Sequence, residues 1–210
     1  MHQKHEYSMI GHSRAAIGRW LGVFAGVVAG AVTSIAGSVL VARFMGWAGL
    51  LEHPISIPLT ATTFYVLGHF FFDRWIWKMS WVHKVLGIPD LNGTWQCSGR
   101  TLDPATSEPT YDWSAKVVIT QTWEKIKVHL ETDNSRSHSV AASIVKSDGI
   151  GFILMYSYRN EPKPGDKELM GHIGYCELHV DESQCSAEGS YFNNQGRLTY
   201  GSMKLTKEAA

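Results

Sequence analysis

Apolar and polar positions divide the chain into two regimes. In the first, no charged residue occurs over the 23 positions from Trp20 to Ala42, roughly 34 Å of helix and enough to cross a bilayer with some tilt. A second apolar stretch runs from Pro54 to Phe72, 19 residues or roughly 28 Å. An apolar region this long, starting this late and followed at once by another, predicts two membrane spans rather than a cleaved signal peptide. Within the first span small residues recur at every fourth position: Gly22, Gly26, Gly30, Ser34, Ser38 and Ala42. Glycine is a poor helix former in water, but in lipid a smooth face lets helix backbones approach closely. The stripe predicts a membrane association face, with Ser34 and Ser38 adding interhelical hydrogen bonds.

From Leu91 the period drops to two. Eight runs can be marked: Leu91–Thr101, Thr110–Trp123, Lys125–Asp133, Arg136–Lys146, Ile150–Arg159, Leu169–Val180, Gln184–Phe192 and Arg197–Lys207. The breaks carry turn chemistry, as in "TDNS", "KSDG" and "NNQG". In the second run Tyr111, Trp113, Ala115, Val117, Ile119, Gln121 and Trp123 share a face; in the third, Ile126, Val128 and Leu130; in the fifth, Phe152, Leu154, Tyr156 and Tyr158. Sequential antiparallel strands with one apolar face are best satisfied by closing into an eight-stranded up-and-down barrel. Such an interior is filled by side chains or holds one small ligand. The inward face of the sixth and eighth runs stays open at this level. The opening "LNGTWQC" resembles the start of calycin-type barrels, lipocalins and avidins, in which a Gly-x-Trp on the first strand plugs the base, here Trp95.

The organisation expected is a membrane domain over 1–89, with spans at about 20–42 and 54–72 and an interfacial segment 73–89, then a cytoplasmic β-barrel domain over 90–210. Lys4, Arg14 and Arg19 precede the first span, Arg74, Lys78 and Lys84 follow the second, and the connecting segment carries only Arg43. That asymmetry places both termini in the cytoplasm of a multi-pass protein. Trp20, Trp47, Trp75, Trp77 and Trp81 stand where interface anchors belong, and Asp73 to Lys84 reads as an interfacial amphipathic helix. Cys97, Cys176 and Cys185 form an odd set without CxxC, as expected of reduced thiols packed in strands.

The 19 basic and 19 acidic residues cancel, giving no global attraction to a nucleic acid polymer. No Gly-x-Ser-x-Gly elbow, P-loop, GxGxxG or His-x-Ser/Thr pair occurs, so no catalytic residue and no cofactor is assigned and the chain does not read as an enzyme. In "GHIGYCELHV" a strand turns His172 and Cys176 one way and His179 the other, so with Cys185 they do not converge on a metal. His2, His5 and His12 belong to an N-terminus expected to be mobile and solvated. His69, four residues before Asp73, reads as a snorkelling interfacial side chain.

The remaining chemistry is a mixture of rings and arginines. Flat rings stack nucleobases, and guanidinium forks bind phosphate bidentately, so a compact nucleotide is a reasonable ligand. The candidates are Arg100, Tyr111, Trp113, Tyr156, Tyr158, Arg159, Tyr191 and Arg197, with Arg136, Tyr175 and Tyr200 as further residues of the same kind. Aromatics that fill a core and arginines that decorate a rim account for the same residues.

Two spans with a small-residue stripe, followed by eight strands opening "LNGTWQCSGR", resemble the two-transmembrane β-barrel effectors of bacterial CBASS anti-phage systems. The resemblance covers nearly the whole chain and rests on architecture and length. It implies that a phage-activated cyclic-nucleotide synthase makes a cyclic dinucleotide and that the barrel binds it. The spans then self-associate into a homo-oligomer that breaches the lipid bilayer of the inner membrane, so the cell dies before phage mature. No ligand residue is carried over from that family. Two other readings fit the pattern: a membrane-tethered calycin-like barrel holding another small ligand, and a structural or docking module without killing activity. A partly polar pocket with arginine at its mouth, an apolar cavity and a filled core would separate the three.

Overall fold

The computed structural model describes residues 3–11, 13–44, 61–147, 149, 151–163, 171–194 and 198–209. They form two compact units, Ser13–Ile76 and Met1–His12 together with Trp77–Ala210.

In the first unit helix α1 (Arg14–Phe44) packs on helix α2 (Ala61–Arg74). Ser13 caps α1, its Oγ accepting the N–H of Ala16 at 3.3 Å. Over Ala15–Val39, with mean hydropathy 1.8, α1 is long and apolar enough to cross a membrane. Trp47 and residues 54–60 of the expected second span lie outside the described residues. Ala25 and Ala29 are buried on α1. The small-residue stripe lies beside them and is open: a Cβ built on Gly22, Gly26 or Gly30 meets nothing within 4 Å. Ser38 Oγ donates to the carbonyl of Ser34 at 2.8 Å, so the hydroxyl expected to reach another helix is bonded within its own.

The second unit is a sheet of nine strands: β1 (His5–Ile10), β2 (Gly93–Leu102), β3 (Pro109–Gln121), β4 (Lys125–Glu131), β5 (Ser135–Ser147), β6 (Gly151–Pro162), β7 (His172–Val180), β8 (Ser186–Asn194) and β9 (Tyr200–Lys207). β2 to β9 follow the expected runs and pair antiparallel in sequence, and β9 returns to β2 with Lys207 opposite Trp95. The strand order closes as β1-β4-β3-β2-β9-β8-β7-β6-β5.

The ninth strand corrects the reading of a mobile N-terminus and a count of eight. β4 has 7 residues and β5 has 13, and they pair directly only where His129–Glu131 face Arg136–His138. Beyond that point they part, and β1 fills the gap. It is antiparallel to β4 at His5 and Glu6 and parallel to β5 from Tyr7 to Ile10. "HEYSMI" alternates, and its inward residues Tyr7 and Met9 are buried. Residues 3–11 and 77–89 thus fall in the same compact unit as the sheet rather than with α1 and α2.

Alternation sets the interior. β7 turns His172, Gly174, Cys176, Leu178 and Val180 inward, and β9 turns Gly201, Met203 and Leu205 inward. One end is plugged by Trp95, whose Nε1–H donates to the carbonyl of Leu91 at 3.2 Å and whose ring lies 5.4 Å from Lys207 Nζ. Gln121 seals the same end: its Oε1 accepts the N–H of Leu91 at 2.9 Å, and its Nε2 donates to Pro89 O and Tyr7 OH. The expected interfacial segment is broken into a 3₁₀ turn, Ile76–Lys78, and a short helix α3 (Ser80–Leu86). Trp77 and Val82 are buried, whereas Met79, Trp81 and Val85 are exposed. Cys97 and Cys176 are buried free thiols on inward strand faces; Cys185 is exposed in the turn before β8.

Candidate functional site

The end of the sheet opposite Trp95 collects the rings, and glycines position them. Gly99 faces Trp113, Gly174 faces Tyr158, and Gly201 faces Tyr191, each across one strand pair. A Cβ at any of the three would collide with the ring opposite. Only glycine lets a large ring lie down against the neighbouring backbone in this way.

Hydrogen bonds lock the rings. Trp113 Nε1–H donates to Tyr191 OH at 3.2 Å, and Tyr191 OH shares a 2.7 Å bond with buried Thr101 Oγ1. The two rings meet edge to face, 5.7 Å apart. Tyr158 OH donates to Asn193 Oδ1 at 2.6 Å, and Asn193 Nδ2 donates to Thr199 Oγ1 at 2.7 Å. Tyr156 lies 6.0 Å from Tyr158, centroid to centroid. Burial drives the Tyr156 hydroxyl well above its ordinary range and pushes the thiols of Cys97 and Cys176 up to about 12. These three groups are therefore neutral at physiological pH, and the two thiols are not nucleophiles.

The arginines lie elsewhere. Arg100, between inward Gly99 and Thr101, points out to solvent. There its Nε and a terminal nitrogen donate to the two Asp112 carboxylate oxygens at 2.6 and 3.1 Å, holding Asp112 below the usual carboxylate range. Arg159, between inward Tyr158 and Asn160, is exposed on the outer wall. A strand's period of two forces both outcomes. Arg136 also faces out and donates to Glu131, and Arg197 lies outside the described residues. The structure therefore gathers Trp113, Tyr156, Tyr158 and Tyr191 inside, with Tyr111 at the mouth and 47% exposed, and leaves Arg100 and Arg159 outside. Tyr175 lies against Phe192 on the outer wall, the two rings tilted by 34°.

Among the described residues no group of three His, Cys, Asp or Glu is placed to hold a metal ion. His179 pairs outward with Glu177, and His5 Nε2 bonds Ser139 Oγ at 2.7 Å. Sequence reasoning missed the buried polar residues Thr101, Ser137, Asn160 and Asn193. A signal existed for two of them: Asn160 and Asn193 each stand two residues beyond an inward tyrosine.

Residues 86–207 match the family model "Cap15, cyclic dinucleotide receptor domain", and residues 15–78 match "Cap15, TM helices". The CD-NTase-associated protein 15 of Yersinia aleksiciae is 36% identical over 214 residues, covering 98% of each chain. The protein of that name from Staphylococcus schleiferi is 25% identical over 164 residues, covering 78% of this chain and 81% of its own. With a cluster of inward rings inside the first match, an apolar helix inside the second, and a relative aligned nearly end to end, the chain belongs to the Cap15 family of CBASS-associated proteins.

Proposed function

We propose that the chain is a CBASS effector that binds a cyclic dinucleotide in a calycin-like barrel and in response self-associates and disrupts the bacterial inner membrane. The observation that carries this reading is the cluster of inward rings at one end of a sheet that matches a cyclic dinucleotide receptor model. Trp113, Tyr156, Tyr158 and Tyr191 form the ligand site, with Tyr111 at its mouth. Desolvating phosphates among buried rings is costly, so the bases enter and the phosphates stay toward the solvent end. The reading places two spans in the membrane and both termini in the cytoplasm, and the exposed apolar face of Met79, Trp81 and Val85 suits a membrane surface.

The open stripe supports assembly through α1. Interhelical polar contacts in lipid contribute only about 0.6 kcal/mol each, so the spans alone assemble marginally. Ligand switches the protein when it adds a few kcal/mol of differential affinity for the assembled state.

The test uses the full chain in vesicles. Calorimetry against a panel of cyclic dinucleotides is expected to find a binder, and the same binder is expected to release an entrapped dye. Binding to none of the panel overturns the reading. Binding without dye release favours the tethered, non-killing barrel, which the same buried rings also suit.

A further inference from the structure

We infer that Asn160, with Ser137 beside it, forms the subsite that reads the edge of a nucleobase, and that the base it takes is adenine. The inference rests on the reading above and adds a recognition chemistry to it.

Most inward polar side chains in this sheet are satisfied. Thr101, Tyr191 and Trp113 bond one another, Asn193 is held between Tyr158 and Thr199, and Gln121 makes its bonds at the plugged end. Ser139 bonds His5 and the N–H of Val128. Two inward side chains differ. Asn160 is 6% exposed and Ser137 is 8% exposed, they stand directly opposite each other on β6 and β5, and neither has a side-chain hydrogen-bond partner among the described residues.

An unpaired buried amide is destabilising, and folded proteins retain few such groups without a use. The position is suggestive of that use. Asn160 follows Tyr158 on the inward face of β6, is flanked on β7 by buried His172, and lies at the end opposite Trp95.

A carboxamide presents one donor beside one acceptor. Its complement is a base edge offering an acceptor beside a donor, as N7 and N6–H do on adenine. At this N7 edge guanine instead offers two acceptors, O6 and N7, and calls for a guanidinium or ammonium group. Arg100, Arg136 and Arg159 all face outward, so the interior described here favours the amide's partner. The Ser137 hydroxyl donates or accepts one further bond to the same ligand.

The experiment is calorimetry on the full chain in nanodiscs with cyclic di-AMP, cyclic di-GMP and cyclic GMP-AMP, paired with melting curves taken without ligand. Asn160→Ala is expected to weaken the adenine-containing ligands by about five- to 150-fold, the loss of one bidentate pair. Its unliganded melting temperature is expected to match or exceed the parent's, because an unsatisfied group has gone. Ser137→Ala, a smaller change that keeps the test open if the first variant folds poorly, is expected to weaken binding about two- to tenfold. Parental affinity in both variants overturns the subsite, as does a lower melting temperature with unchanged affinity. A parent that binds cyclic di-GMP but neither adenine-containing ligand overturns the base assignment. A parent that binds none of the three removes the functional reading itself, and the subsite with it.

Discussion

Tyr7→Ala tests whether the N-terminal strand is a working part of the receptor domain. Tyr7 is 4% exposed, its hydroxyl accepts from Gln121 Nε2 at 3.0 Å, and it donates to Thr122 O at 3.4 Å. Truncating a buried aromatic to alanine costs about 3–5 kcal/mol. Gln121 Nε2 keeps its bond to Pro89 O at 3.1 Å, so the amide is not left bare and little is added to that figure. For a domain near 150 residues, 1 kcal/mol moves the melting temperature by roughly 3–4 °C, so the expected fall is about 10–20 °C. Tyr7→Phe keeps the ring and loses only the hydroxyl, a cost of about 1 kcal/mol. Deleting residues 1–11 is expected to be worse than either, because it also bares the β5 backbone from Ala142 to Val145. Circular dichroism melts of the full chain in detergent measure all three. A peptide of residues 3–11 added to the truncated chain is expected to recover part of the loss. Melting within about 3 °C of the parent for both Tyr7→Ala and the deletion would refute the role given to β1.

Three further outcomes follow from the same structure. Gly26→Leu places a bulky group on the open stripe, where the single chain has room for it, so assembly is expected to fail while ligand affinity holds; cross-linking and calorimetry read the two separately. Arg100→Ala combined with Arg159→Ala is expected to leave affinity within about twofold of the parent, since both side chains lie on the outer wall; a loss of tenfold or more, about 1.4 kcal/mol, would move the site outside. Cys97 and Cys176 are pushed from 9.0 to about 12 in the folded chain, so between those values the unfolded chain has released protons that the folded one still holds. Stability must then fall as pH rises from 9 toward 12, and urea midpoints that stay level from pH 8 to 11 would contradict the burial of these thiols.

Strands β2 to β9 are legible because one face of each meets the core, so hydrophobicity repeats with the pleat over seven or more residues. β1 is not, because its six residues stand just before a far stronger helical pattern and its parallel partner lies more than 130 positions away. The inward rings are legible for the same reason as the strands. The alternation that sets Tyr156 and Tyr158 on one face also sets Arg159 on the other; grouping arginines by nearness to strand ends discards that information. Ser137 is hidden in another way. A polar residue near a strand end reads as part of a solvated rim, and only the register shows that Ser137 stands opposite Asn160 and that both are buried. The glycines under Trp113, Tyr158 and Tyr191 likewise acquire meaning only from the pairing.

A hydrogen-bonded sheet cannot be divided by a bilayer. Because Tyr7 pairs with Ala142 and Ile10 with Val145, residues 5–10 share a compartment with residues 93–207. Any excursion of residues 13–76 through a membrane must end on the side where it began, so the number of crossings is even. If the apolar helix Ala15–Val39 crosses, the return leg falls between residue 40 and Trp77. β1 thereby acts as a parity check on membrane insertion: a chain threaded through once leaves β5 without its parallel neighbour and the sheet unclosed.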